Sequence, residues 1–123
     1  MRLTDTQIDS FTDYGYLVVD QLFTDGDLQP VIDELTHEID VRAQKLADEG
    51  DLKNSYENEP FETRLTRLGQ ESEKVYWDIC SGQLSGPAVF GLLRHPKMLD
   101  MVESLVGPEV IASSAYRVRP KVP

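Results

Sequence analysis

The longest regular pattern in the sequence is an apolar stripe at helical spacing within residues 24–50. Thr24 and Asp27 stand three residues apart, as in a capping box, where each side chain accepts a hydrogen bond from the other residue's backbone N–H. Pro30 falls near the first turn, where proline is tolerated. The pattern therefore predicts a long amphipathic helix that ends near Gly50. The stripe consists of Leu28, Val31, Ile32, Leu35, Ile39 and Leu46.

A shorter helix is predicted close to the amino terminus. Thr4 and Gln7 have the same capping-box spacing, and Gly15 is a typical left-handed end for the helix that Thr4 begins. Ile8 and Phe11 lie one turn apart and would form its buried stripe. The capping box, the apolar stripe and the glycine agree, so we expect a short helix here.

The second half of the sequence predicts three more short helices. One covers about residues 63–73. Ser85 is positioned to cap the next, which ends at His95 because the residue before Pro96 avoids the helical conformation. The last of the three covers residues 98–106 and ends at a Gly-Pro pair.

Two segments are typical of β-strands. Residues 16–19 form a compact run rich in β-branched side chains between Gly15 and Asp20. Within residues 111–122, the cations Arg117, Arg119 and Lys121 alternate with Tyr116, Val118 and Pro120, which is the period of a strand. The sequence thus predicts an α+β, mainly helical fold, with residues 1–110 helical apart from the short strand. At 123 residues, the chain is one domain or part of one.

The charge balance limits the classes of partner. The chain has 12 basic and 22 acidic residues, a formal net charge of −10. Nucleic acids and anionic membranes bind cationic patches, so we expect neither as the main partner. No apolar run is long enough to span a bilayer, and the polar amino terminus is unlike a signal peptide. Cys80 is the only cysteine, which fits a reducing compartment. We therefore expect a soluble, cytoplasmic protein.

Few residue patterns point to catalysis. Glu34 and His37 have the Glu-x-x-His spacing of di-iron helical bundles, but those sites need a second pair and further glutamates. His37 also lies off the apolar stripe, so we expect an exposed helical histidine. Cys80 and His95 could act as nucleophile and base, but no third group that would orient them is evident. From the residues alone, we assign no catalytic residue and no metal ligand.

One cationic cluster could bind an anion. Arg117, Arg119 and Lys121 alternate along the predicted strand and would share one face. Guanidinium and ammonium groups bind carboxylates and phosphates through charge-assisted hydrogen bonds. The alternative is a solvated strand face, or ion pairs with the acidic helices. The pattern leaves both interpretations open.

Five segments, in this order, resemble the phytanoyl-CoA dioxygenase family of iron(II)- and 2-oxoglutarate-dependent oxygenases. The opening helix followed by Gly15-Tyr16, and the block LLRHPKMLDMVESLVGPEV at residues 92–110, are its most specific parts. Together the segments are distributed along the chain from residue 3 to residue 123. They are residues 3–23, 27–35, 59–68, 86–111 and 116–123.

The resemblance implies the amino-terminal helices and first strands of a double-stranded β-helix, truncated before its metal site. In the family, a His-x-Asp pair, a distant histidine and an arginine that binds 2-oxoglutarate follow the segment that matches residues 117–123. No His-x-Asp occurs in this sequence. The family uses Fe(II) and 2-oxoglutarate, but no cofactor is expected for this chain alone. In the family, a lysine of the equivalent strand reaches the 2-oxoglutarate carboxylate. Lys121 is the best match to that lysine in this sequence, and Arg119 is the second best.

Two functions remain open on the sequence. The first is the amino-terminal segment of a phytanoyl-CoA-dioxygenase-like hydroxylase, inactive by itself, which would act on a small-molecule substrate only with a catalytic half. The second is a stand-alone, non-catalytic helical module that forms homo-oligomers. Such a module would self-associate through exposed helix faces or through the strand at residues 111–122, because apolar faces and open strand edges favour pairing.

Overall fold

A computed structural model of the chain describes residues 2–80, 86–113 and 118. In this part, α-helices pack around one long helix. The helices of the described part are α1 (Asp5–Tyr14), α2 (Asp25–Asp48), α3 (Phe61–Glu71), α4 (Glu73–Cys80), α5 (Pro87–Leu93) and α6 (Pro96–Val106). The long helix is α2, which packs against α3, α4 and α5. Helix α3 also packs against α4, and α5 packs against α6.

Both predicted capping boxes are confirmed. At the start of α1, Thr4 N donates to Gln7 Oε1 over 3.0 Å and Gln7 N donates to Thr4 Oγ1 over 3.3 Å. At the start of α2, Thr24 N donates to Asp27 Oδ2 over 2.7 Å and Asp27 N donates to Thr24 Oγ1 over 3.3 Å. Gly15 ends α1 with a φ of 73°, in the left-handed region that glycine adopts without strain.

The core lies along the carboxy-terminal half of α2. Only that half of the predicted stripe is fully buried, while the stripe residues Leu28, Val31, Ile32 and Leu35 are half-buried. Val118 packs against the core from the carboxy-terminal region. Six buried side chains form the core cluster: Ile39, Ala43, Leu46, Leu52, Leu68 and Val75.

The carboxy-terminal helices pack on the other half of α2. Val89 of α5 is buried, and so is Leu3, which precedes α1. The backbone N–H of Leu3 donates to Ser104 Oγ of α6 over 3.2 Å, so the amino-terminal segment is held against the last helix. The amino terminus, α2, α5 and α6 thus form a second packed region beside the core of α2, α3 and α4.

The predicted α+β fold, with first strands of a β-helix, is wrong for the described residues, which contain helices and no strand. Residues 16–19 have the composition of a strand, but their backbone groups bond to no other described backbone group. A strand needs a neighbour for its N–H and C=O groups, and local composition does not supply one. Of the predicted strand at residues 111–122, residues 111–113 and 118 are not in a strand. The other residues of that segment lie outside the described part.

Two helices differ from the sequence-based expectation. Helix α4 covers an aromatic segment for which the sequence predicts no particular geometry. The cap of α5 is Gly86 and not Ser85, which lies outside the described residues. In the described ranges, none of the helices combines the length and the apolar character that crossing a bilayer requires.

Candidate functional site

The predicted 2-oxoglutarate ligands, Arg119 and Lys121, lie outside the described residues. Arg117, the third cation of that cluster, lies outside them too. Their role therefore stays a prediction. Among the other polar residues that the sequence singled out, Glu34 and His95 lie at contacts between helices.

Glu34 and His37 do not share a site. The Glu34 carboxylate points to the start of α5, where it accepts hydrogen bonds from Ala88 N over 2.7 Å and Val89 N over 3.1 Å. His37 is exposed on α2, as expected. In the part of the chain that the structure describes, no three His, Cys, Asp or Glu side chains are grouped to hold a metal ion.

The contact between Glu34 and α5 depends on a glycine. The first N–H groups of a helix have no partner inside the helix, and a carboxylate satisfies them while interacting favourably with the helix dipole. A Cβ placed on Gly86 would lie 2.4 Å from Glu34 Cδ and 2.5 Å from both carboxylate oxygens. Gly86 therefore permits a long-range cap that a residue with a side chain would displace.

We expect Gly86→Ala to destabilise the protein by about 1 to 3 kcal/mol, because the displaced Glu34 side chain leaves two N–H groups of α5 unpaired. Urea unfolding followed by circular dichroism measures this loss. Glu34→Gln should cost a similar amount. The double variant tests whether the two positions are coupled. Gly86→Ala should cost clearly less stability in the Glu34→Gln background, where the cap is already weakened, than in the wild type. Strictly additive losses would contradict the proposed contact.

Three side chains join the start of α6 to the start of α2. His95 Nε2 lies 3.4 Å from Asp27 Oδ1, and the Lys97 ammonium forms an ion pair with Asp27 Oδ2. His95 Nδ1 accepts a hydrogen bond from Lys97 N over 3.3 Å, so the histidine caps α6. The Phe23 ring packs edge-on against the imidazole, with 5.2 Å between the ring centroids.

This arrangement holds the starts of α2 and α6 together and engages both ring nitrogens of His95. A histidine acts as a base only through a ring nitrogen with a free lone pair that can reach the substrate. In His95, one nitrogen accepts the N–H of Lys97 and the other faces Asp27. Cys80 ends α4, and the position of its side chain is outside the described part, so the predicted Cys80–His95 pair stays a prediction.

The Asp27 carboxylate should make stability depend on acid pH. Hydrogen bonds from Lys97 and from the N–H and hydroxyl of Thr24 hold the pKa of Asp27 well below its usual range. The unfolded chain has the ordinary aspartate pKa of about 3.9. The stabilisation is therefore complete above that pH and is lost as the pH falls towards the lower pKa of the folded state.

We therefore expect wild-type protein to lose more thermal stability between pH 5 and pH 2 than Asp27→Asn does (roughly the span around the two pKa values). Melting temperatures across this range give the measurement. Asp9→Asn, an exposed carboxylate of α1, is the matched control and should follow the wild-type curve. Parallel curves for wild type and Asp27→Asn would show that the ion pair does not stabilise the folded state.

A second carboxylate orders the loop between α2 and α3. Glu71 accepts hydrogen bonds from Lys53 N and, over 3.0 Å, from Tyr56 Oη. The bond from Lys53 N lowers the pKa of Glu71, and the bond to the carboxylate raises the pKa of the Tyr56 hydroxyl. Tyr56 also has a positive φ of 50°. The loop between α2 and α3 is thus fixed by a residue of α3.

The most deeply buried charge in the described part is Arg64 of α3. Its guanidinium pairs with Asp40 of α2 and donates from Nη2 to the Ser55 carbonyl over 3.1 Å. These groups border an open groove of about 870 Å³ along α2, beside His37. Every guanidinium nitrogen of Arg64 already has a protein partner, so this arginine offers no free binding group to the groove.

No protein-family model, curated protein or solved structure matches this chain. The resemblance to phytanoyl-CoA dioxygenases therefore depends on the sequence segments alone. Several described side chains form contacts between helices, among them the Glu34 cap on α5, the contact of His95 with Asp27 and the ion pair of buried Arg64 with Asp40. These contacts join α2 to α3, α5 and α6.

Proposed function

We propose that this chain is the amino-terminal helical part of an iron(II)- and 2-oxoglutarate-dependent oxygenase similar to phytanoyl-CoA dioxygenases. The observation that carries the proposal is the order of the five segments that resemble the family, which extend from residue 3 to residue 123. The metal ligands would come from residues that this chain does not include. The single cysteine and the acidic composition fit a cytoplasmic enzyme that binds no nucleic acid.

The most specific matching block is consistent with a scaffold role. In residues 92–110, His95 caps α6, Pro96 occupies its first position, and Gly107 ends it with a φ of 89°. Lys97 pairs with Asp27, which lies in another matching segment. These residues set helix ends and helix contacts, a role that a family can require of a supporting domain without any chemistry in it.

We further propose that the chain has no oxygenase activity alone. A non-haem iron site of this type needs two histidines and a carboxylate that converge on one metal ion. The chain has two histidines. His37 is exposed on α2, whereas both ring nitrogens of His95 are engaged at the start of α6.

Anaerobic titration with Fe(II), followed by turnover of 2-oxoglutarate in air, tests this proposal. We expect no stoichiometric iron binding and no release of succinate. Stoichiometric binding together with succinate release would overturn the claim of inactivity.

The family assignment has a separate test. If the assignment is right, the coding sequence after the codon for Pro123 should encode a His-x-Asp pair in the same frame. A frame without that pair would contradict the assignment.

A second candidate function is a helical module that binds a second copy of itself. It is favoured by apolar side chains that stay largely exposed, with Tyr16 at 68%, Val18 at 74% and Trp77 at 64%. Contiguous exposed apolar surface often marks an interaction site. Sedimentation velocity over a wide concentration range separates the candidates. A reversible dimer would support self-association, and a monomer at every concentration would rule it out.

A further inference from the structure

A cleft lies between α5, α6 and the segment that follows α6. Its volume is about 440 Å³, and aliphatic and aromatic side chains form most of its wall. This volume is in the lower part of the range of small-molecule sites, which are mostly apolar with a few polar groups that fix orientation. The apolar lining consists of Phe90, Leu93, Leu99, Val110 and Ala112.

One cation lies at this cleft. Arg94 is exposed, and its guanidinium carbon is 5.8 Å from the centroid of the Phe90 ring. Within the described ranges, no carboxylate pairs with Arg94. Every other described Lys or Arg side chain except Lys53 forms an ion pair. In a chain with a net charge of −10, a cation without a carboxylate beside an apolar cleft is exceptional.

We propose that this cleft binds a compact apolar molecule that carries a carboxylate. The apolar part would fill the space between α5 and α6, where it loses contact with water. The carboxylate would face Arg94, whose planar guanidinium binds such groups with two parallel hydrogen bonds. The cleft is too small for a helix of a partner protein, whose diameter is about 10 Å. The inference goes beyond the proposed function and does not depend on it.

The experiment uses 2-naphthoate as the probe and naphthalene-2-carboxamide as its uncharged analogue. Titration of the ¹⁵N-labelled chain, followed by two-dimensional NMR, should give saturable shifts in α5, α6 and residues 110–113. The carboxamide should bind about threefold to tenfold more weakly, because it lacks the charge. Arg94→Gln should weaken naphthoate binding by a similar factor and leave carboxamide binding unchanged.

Two further variants complete the test. Arg67→Gln removes an exposed arginine of α3, far from the cleft in the chain, and should bind naphthoate as wild type does. Ala112→Phe should fill the cleft and abolish binding of both probes. Because residue 112 is exposed, the larger side chain should leave the fold intact. Equal affinity for both probes, full binding by Arg94→Gln, or shifts confined to other helices would each overturn the proposal.

Discussion

Replacement of Leu68 with alanine is expected to lower the free energy of unfolding by about 2 to 5 kcal/mol. Leu68 is fully buried in α3 and belongs to the core cluster that α3 forms with α2 and α4. The substitution removes apolar contacts and leaves a cavity that the surrounding helices fill only in part. Single domains are stable by about 5 to 15 kcal/mol, so this loss is a large fraction of the total.

Urea unfolding followed by circular dichroism measures the effect. Val41→Ala on α2 is the control, because its side chain is 53% exposed and should contribute less than about 0.5 kcal/mol. If Leu68→Ala and Val41→Ala had the same small effect, the core would not lie between α2, α3 and α4.

Leu68→Ala also tests whether the two packed regions unfold together. The core cluster includes no residue of α5 or α6. These helices are held to α2 by Val89, by the Glu34 cap and by the Asp27 ion pair. Amide hydrogen exchange should therefore show a larger loss of protection in α3 and α4 than in α5 and α6, because regions with few shared contacts can open separately.

The helices that the sequence predicts best are those whose signals are local. In α1 and α2, the capping residues lie three positions apart, so the partner of each side chain is fixed by the helix itself. Gly15 acts locally too, because its left-handed conformation ends α1 whatever packs nearby. Such features depend on no distant residue and can be predicted from one short window.

The contacts that define the candidate sites depend on distant residues. Glu34 caps a helix more than fifty positions later in the chain, and nothing in a short window shows which helix start it will reach. Gly86 carries the one useful signal, since a glycine directly before Pro87 permits a close approach at a helix start. The prediction of a strand at residues 16–19 is wrong for the same reason. The composition indicates an extended segment, but it does not supply a second strand for the backbone to pair with.

The burial of Arg64 also depends on distant residues and could not be predicted from a short window of sequence. Its position in α3 resembles that of any exposed helical arginine, and long charged side chains are mostly on surfaces. In the structure its side chain is only 5% exposed, because Asp40 and the carbonyl of Ser55 give every guanidinium nitrogen a partner. Only the fold, which brings α2, α3 and the intervening loop together, makes this burial possible.

The Arg64–Asp40 pair should have an asymmetric effect on stability. Asp40→Asn is expected to cost about 2 to 4 kcal/mol, because it leaves a buried guanidinium without its counter-charge. Arg64→Met should cost less, about 1 to 2 kcal/mol, since its apolar chain keeps the packing and only the Ser55 carbonyl loses its donors. The Asp40 carboxylate, 49% exposed, can then be hydrated. Urea unfolding at neutral pH gives both values.

The double variant decides between a buried charge and a surface ion pair. In the Arg64→Met background there is no guanidinium to neutralise, so Asp40→Asn should then cost almost nothing, and the two substitutions should be strongly non-additive. Asp48→Asn, on the same helix with an exposed carboxylate, is the control and should change stability by less than about 0.5 kcal/mol. Salt should alter the Asp40→Asn loss less than it alters the effect of a fully exposed pair, because the Arg64 guanidinium is buried. A small Asp40→Asn loss that disappears in high salt would instead identify an ordinary surface pair, and the burial of Arg64 would then need another cause.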